Sequence, residues 1–381
     1  MAKTLKQMRP VYVVGIGLDR YQRMSARPYL EFGLAAIRSA LSDAGIRWPD
    51  VESFYLGTAL LGMAPGRAMI KHLGATGIPI AQVENASASG STSFRQACLD
   101  VASGLTDVSM AAGVDKPALI PRASNGSPGD LIGKHLAPVN HFALLTNQYR
   151  EQYGVTLEQL AAVAVKNHKN GSKNPFAQRQ KERTLEQILA PPYLAGPLNR
   201  LHCCPIGEGA AAVVVASEDA MERLNLSVER SVRVLASVSR TERLYAPGEN
   251  WDTALTRETT EQAYHEAEIT APQLDVVELH DAFTIEEIMY AEAMGLSEYG
   301  EGARDIAAGA FDIGGRCALS PSGGLLSMGH PIGPTGTGQI AEITRQLRGE
   351  AGERQQPHAR TGLAHMVGVG AVCLVHILQK V

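Results

Sequence analysis

Short apolar and β-branched runs alternate with stretches of helical periodicity along most of the chain. Residues 11–17 read as a first buried strand, 28–44 as a helix, Ser53–Gly57 and 80–84 as strands, the stretch after Gly90 as a helix, and 108–113 as a strand. Strands without a polar face, separated by helices, predict an α/β fold with covered sheets. The rhythm breaks from residue 118 to about 200, where Pro117, Pro121, Gly126, Pro128 and Gly129 precede helical patterns; strand patterns return at 210–216. That interruption predicts an inserted loop domain. A second α/β half starts near Val228, with strands expected over 232–239, 276–280 and 366–377. Gly90, a helix and the strand at 108–113 are echoed by Gly336, a helix and 363–375. The echo alone is too faint to establish duplication.

Candidate chemistry sits where these elements end. Val83-Glu84-Asn85-Ala86-Ser87-Ala88-Ser89-Gly90-Ser91-Thr92 runs from a strand through a small-residue turn into a helix. Two histidines occupy similar places, in Leu279-His280-Asp281-Ala282-Phe283 and in Ser327-Met328-Gly329-His330-Pro331, the latter continuing into a Gly-rich loop up to Gly336. The turn resembles the Asn-x-Cys-Ala-x-Gly-Ser element of the thiolases, in particular the sterol-carrier-protein type, with Ser87 in the cysteine's place. His280 and His330 match that family's His-Asp-Cys-Phe and Gly-His-Pro elements. Asn167-His168-Lys169-Asn170, Lys173-Asn174-Pro175, Cys203-Cys204-Pro205 and Gly209-Ala210-Ala211 are also similar to this subfamily, so the resemblance runs from about residue 10 to the end.

The resemblance implies a thiolase fold: two similar βαβαβαββ halves, 1–220 and 221–381, packed as a five-layered α-β-α-β-α core, with the loop domain inserted at about 118–200. It implies an acyltransferase acting on β-ketoacyl-CoA thioesters, by thiolytic cleavage or the reverse condensation, with coenzyme A as co-substrate and no covalently bound cofactor. Ser87 takes the nucleophile position, His330 the base and His280 the donor to an oxyanion or enolate. Backbone N–H groups around Gly368 and Gly370 are the expected oxyanion hole, which needs no side chain. His141 lies about where family members contact CoA, and Arg179, Lys181 and Arg183 could attract its phosphates. The family's second cysteine is missing, since Ala282 and Val367 stand at its two usual places. Cys373 reads as core, and Asp281 as a cap for the helix from Thr284. A homodimer with a small OB-fold and zinc-ribbon subunit, and a bulky steroid-derived or aromatic acyl-CoA, follow by analogy with the subgroup lacking that cysteine.

Serine changes the chemistry. A helix N-terminus favours a cysteine thiolate, but a dipole effect of about 1 kcal/mol cannot ionise a hydroxyl, so Ser87 needs a base in hydrogen-bond contact. Three readings stand side by side: a thiolase inactivated by serine at one position; a lyase of the retro-aldol type that needs no acyl-enzyme, for which Tyr245 and Tyr290 are further candidates; and a non-catalytic subunit that binds CoA esters. A serine-hydrolase elbow is excluded because Asn85 and Ser89 stand where it needs glycines. Gly15-Ile16-Gly17-Leu18 lacks the third glycine of a dinucleotide site.

Composition narrows the picture modestly. The 381 residues, 45% hydrophobic, can bury one large core or two ordinary domains. A formal charge of -4 with both signs mixed gives no reason to expect nucleic acid or an anionic membrane. The apolar run after Pro10 is too short for a signal segment or a membrane span. Five cysteines, two adjacent at 203 and 204 and none at zinc-site spacing, favour reduced thiols in a cytoplasm and predict no metal centre.

Overall fold

The computed structural model describes residues 3–117, 138–246, 248–368 and 372–381. Its strands are β1 (Tyr12–Gln22), β2 (Ser53–Gly57), β3 (Ile80–Val83), β4 (Val108–Asp115), β5 (Tyr193–Ala195), β6 (Leu198–Asn199), β7 (Glu208–Ala216), β8 (Val232–Thr241), β9 (Val276–Glu278), β10 (Ala318–Leu319), β11 (Thr361–Gly368) and β12 (Val372–Lys380). All but β5 and β6 join one hydrogen-bonded array in the order β10-β9-β11-β12-β8-β1-β7-β4-β2-β3.

Divided between β1 and β8, this order shows the same five-strand pattern twice. In β3-β2-β4-β7-β1 the first three strands are parallel and the last two join antiparallel. In β10-β9-β11-β12-β8 the pairing senses are the same. The halves meet edge to edge where Tyr12 pairs with Arg233 and Val13 with Val232. The helices Ser89–Ser103 and Thr335–Arg348 pack on each other between the half-sheets, while Tyr29–Ala44 covers the outer face of the first and Trp251–Ala267 that of the second. The layers therefore run α-β-α-β-α. Strands in such an array are buried on both faces, which is why β4 and the Ala- and Val-rich β7 have no exposed position.

Two sequence expectations change. The strand expected over 366–377 is two, because Gly368 ends β11 and β12 returns antiparallel with Val372 opposite Gly368. The strand expected over 276–280 stops at Glu278, which leaves His280 on the loop beyond the sheet edge. The insertion contains the helices Pro138–Tyr153, Leu157–Ser172 and Leu185–Leu189 and the β5–β6 hairpin; residues 118–137 of the expected loop lie outside the described residues. No described helix is long and apolar enough to cross a membrane.

Candidate functional site

Ser87 is delivered by a strand-turn-helix unit. After β3 the chain turns through Ala86, whose φ of 49° is left-handed and disfavoured for a residue with a Cβ. The turn is tied by Ala88 N–H to Asn85 C=O at 3.0 Å and by Ser89 Oγ, which accepts from Asn85 N–H at 2.8 Å and donates to Ala86 C=O at 2.6 Å. The Ser89–Ser103 helix begins two residues after Ser87, and no side chain caps it. Its positive end thus lies beside the Ser87 hydroxyl.

His330 comes from the second half, on the loop before the Thr335–Arg348 helix. Its N–H donates to Pro205 C=O at 3.0 Å. Farther along the loop, Gly333 N–H donates to Asp115 Oδ2 at 2.7 Å, and the same carboxylate accepts from Thr58 Oγ1 and from Ala59 and Leu60 N–H. Asp115, at the end of β4, thereby clamps the His330 loop to the first half. The ring of His330 bridges Ser87 Oγ, 3.0 Å from Nε2, and Thr335 Oγ1, 2.9 Å from Nδ1. Burial, and secondarily the neighbouring His280, push the His330 pKa well below its ordinary value. Its neutral form is the resting one, so Nε2 can accept the Ser87 proton while Nδ1–H donates to Thr335.

His280 meets His330 edge to face, with ring centroids 5.4 Å apart at 87°. Its Nδ1 lies 3.0 Å from Glu286 Oε1, while its buried Nε2 has no hydrogen-bond partner among the described residues. Glu286 also accepts from Tyr290 OH at 3.2 Å and from Phe283 N–H at 2.8 Å. Burial raises the Glu286 pKa and the His280 partner partly offsets that. The backbone N–H of His280 reaches His365 Nδ1 at 3.4 Å, and His365 Nε2 pairs with Thr256 Oγ1 at 3.1 Å. Ser87, His280 and His330 are all under one-tenth exposed, at 7%, 8% and 6%.

The other expected residues fall as follows. Gly368 ends β11 against the Ser87 turn: a Cβ there would lie 2.6 Å from Asn85 C=O and 3.5 Å from the Ala86 methyl. Gly370 lies outside the described residues. His141 is half-buried on the Pro138–Tyr153 helix, 3.4 Å from Asp252 Oδ2 and stacked on Trp251, and the Asp252 hydrogen bond raises its pKa. Of the three basic residues, Arg179 is committed to backbone, donating to Cys203, Leu326 and Arg200 carbonyls. Cys203 and Cys204 sit between the two histidine loops, with Cys204 N–H on Ala282 C=O at 2.8 Å. Burial pushes the Cys203 thiol up to about 11, and Cys373 is fully buried.

Asp281 requires a correction. It does not cap the helix from Thr284; it accepts from Asn167 Nδ2 at 2.7 Å and from Leu325 N–H at 2.7 Å, tying the insertion to the Gly324–Met328 helix. The residue that does face that helix start is Glu286, which sequence reasoning passed over. Its only local signal is its spacing, three after Phe283, which reads as an ordinary capping glutamate. Among the described residues no group of three or more His, Cys, Asp or Glu is arranged to hold a metal ion.

Comparison with known proteins places this geometry. Residues 19–219 match the family model for the thiolase N-terminal domain, and residues 238–380 match that for the thiolase C-terminal domain-like region. The chain is 35% identical over 376 residues to the benzoylsuccinyl-CoA thiolase subunit BbsB of Thauera aromatica, covering 96% of each. It is 34% identical to human sterol carrier protein 2, covering 98% of this chain and 72% of that protein. A solved structure described as "Ltp2-ChsH2(DUF35) aldolase" superposes with a TM-score of 0.84 at 23% identity, over 98% of both chains, a likeness of fold. Because both family domains are matched in order and their loops converge on the turn that carries Ser87, the chain belongs to the thiolase family and is an acyl-CoA acyltransferase of that family.

Proposed function

We propose that this enzyme makes or breaks the C–C bond of β-ketoacyl-CoA thioesters, with Ser87 as the acyl acceptor and coenzyme A as co-substrate. The observation that carries this reading is the 3.0 Å contact between Ser87 Oγ and His330 Nε2 at a helix N-terminus. In cleavage, the Ser87 oxygen attacks the β-keto carbonyl as its proton passes to His330. The C–C electron pair leaves onto the carbon next to the thioester, and the acyl group remains on Ser87 until the CoA thiol takes it. Backbone N–H groups near Gly368 and Gly370 serve the oxyanion. An oxygen ester is lower in energy than a thioester, so release from Ser87 to CoA is the hard step, one that cysteine would ease.

His141 and the insertion are assigned to the CoA moiety: the Asp252 carboxylate favours a positive imidazole there, suited to a phosphate. A bulky or aromatic acyl group accords with the name of the Thauera relative. That relative is one subunit of its enzyme, and the solved aldolase pairs Ltp2 with a DUF35 protein. Both support a small accessory subunit for this chain, of OB-fold and zinc-ribbon type. The half-exposed edge strand β3 supports a homodimer. A cytoplasmic location fits the five free thiols among the described residues.

A second reading, retro-aldol cleavage without an acyl-enzyme, is favoured by one observation. The carboxylate-backed histidine is His280, which does not touch Ser87, whereas His330 has only a threonine hydroxyl behind it. Incubating the Ser87 chain and Ser87→Cys, each with any accessory subunit, with a panel of β-ketoacyl-CoA and β-hydroxyacyl-CoA thioesters decides between the two by intact mass and free products. Slow acylation of the native chain, with fast CoA-dependent turnover by the cysteine form, supports acyl transfer. Ketone or aldehyde released by the serine form without CoA, from a β-hydroxyacyl-CoA and without a mass shift, supports the lyase.

A further inference from the structure

Carbon–carbon bond chemistry next to a thioester needs a group that exchanges a proton with the α-carbon. In this chain neither Ala282 nor Val367 can do so. Ser87 and His330 are already joined to each other. A polar atom beside them without a partner among the described residues is His280 Nε2, buried on the ring that meets His330 edge to face.

The hydrogen bonds around Glu286 fix the state of that atom. Phe283 N–H can only donate, so Oε2 of Glu286 is an acceptor. Oε1 faces Tyr290 OH and His280 Nδ1. With donors arranged about both oxygens, the carboxylate form is the satisfied one, and it takes a proton from neither. His280 must then carry its ring proton on Nδ1, which leaves the Nε2 lone pair bare. A bare lone pair cannot donate to an oxyanion. It can accept a proton.

We infer that His280 is the catalytic acid/base for the substrate α-carbon and that Glu286 is its positioning residue, holding the tautomer with Nε2 free. In condensation, Nε2 takes the α-proton, and the C–H electron pair becomes the thioester enolate. In cleavage, the electron pair of the broken C–C bond forms the same enolate, which takes from Nε2 a proton that the ring has first accepted from water, returning His280 to its neutral form. Glu286 stays anionic throughout and stabilises the imidazolium. This assignment rests on the C–C bond reading above and replaces the oxyanion-donor role that the family resemblance implies for His280.

The test is exchange of the methyl protons of acetyl-CoA in D2O by the full chain, read by mass spectrometry, beside nitrogen NMR of the His280 ring. The native chain should exchange above the buffer rate, with the proton on Nδ1. In Glu286→Gln the amide oxygen is held by Phe283 N–H and its NH2 group faces Nδ1, so the proton should move to Nε2 and exchange should slow by about 100-fold or more. Glu286→Asp should restore part of the rate. No exchange by the native chain, exchange in Glu286→Gln within about 3-fold of native, or Nε2–H in native His280 would each overturn the inference. If Glu286→Gln does not fold, the native tautomer and exchange rate decide alone. Intact exchange and tautomer with no C–C cleavage or condensation of any β-ketoacyl-CoA would defeat the acyl-transfer reading and leave this assignment standing.

Discussion

Position 87 shows how far one side chain carries a prediction. Its neighbours make it a nucleophile position, but the oxygen makes it dependent on His330, a residue 243 positions away. His330 is a base held neutral: burial and the nearby His280 both disfavour its imidazolium. For a histidine with a depressed pKa the neutral form persists as pH falls through the ordinary value, so the His330 ring nitrogens should show no protonation step around pH 6.5. A titration near pH 6.5 in nitrogen NMR would contradict this. Glu286 was not legible as a functional residue, because a glutamate in a first helical turn has a routine local explanation. Only the folded chain shows that its second oxygen meets His280.

The site depends on how two helices are started and crossed. Ser89–Ser103 and Thr335–Arg348 approach at their N-termini, where Thr337 Oγ1 donates to Gly90 C=O at 3.1 Å. A Cβ on Gly90 would lie 2.4 Å from Gly333 C=O and 2.9 Å from Thr337 N, both backbone atoms that cannot swing away. Gly90→Ala should therefore destabilise the protein by about 1–3 kcal/mol and push the His330 loop from Ser87. Thermal unfolding and acylation of a Ser87→Cys, Gly90→Ala double variant would check both effects, and an unchanged melting temperature would refute the packing argument. The glycines at 90 and 336 were visible as an echo in the sequence. Their shared function at the crossing was not, since periodicity reports the face of a helix and not its neighbour.

Across the whole molecule, the halves are held together by more than the β1–β8 edge. Asp43, near the end of the Tyr29–Ala44 helix, receives Arg348 at 2.7 Å and Arg230 at 2.8 Å, both from the second half, and also Ile16 N–H. The Arg348 side chain is 1% exposed, and Asp43 is the nearer of the two carboxylates that balance its charge, Glu350 lying at 3.8 Å. Burial alone would raise the Asp43 pKa, but the two arginines outweigh it and hold the carboxyl below its ordinary value. A depressed carboxyl pKa contributes stability that is present above about pH 4 and is lost as pH falls through the folded-state value. Asp43→Ala should thus cost up to about 3 kcal/mol at pH 7 by leaving Arg348 only the more distant Glu350 carboxylate, 3.8 Å away, and the deficit should shrink below pH 4. Denaturant unfolding at both pH values tests the sign. For the proposed homodimer, sedimentation velocity should give twice the chain mass, and a concentration-independent monomer would rule it out.

The sequence by itself determined the α/β alternation, the motif-bearing loops at Ser87, His280 and His330, and the lack of cysteine at 87, 282 and 367. These are properties of spacing and residue type, and they persist in any arrangement of the elements. Tertiary structure decided which of them meet. Strand order brings β3 and the His330 loop together, sends Asp281 to Asn167 and Leu325, and gives the carboxylate of Glu286 to His280 while leaving His330 with Thr335. Hydrogen bonds between loops so far apart in the chain carry no period for a sequence to display.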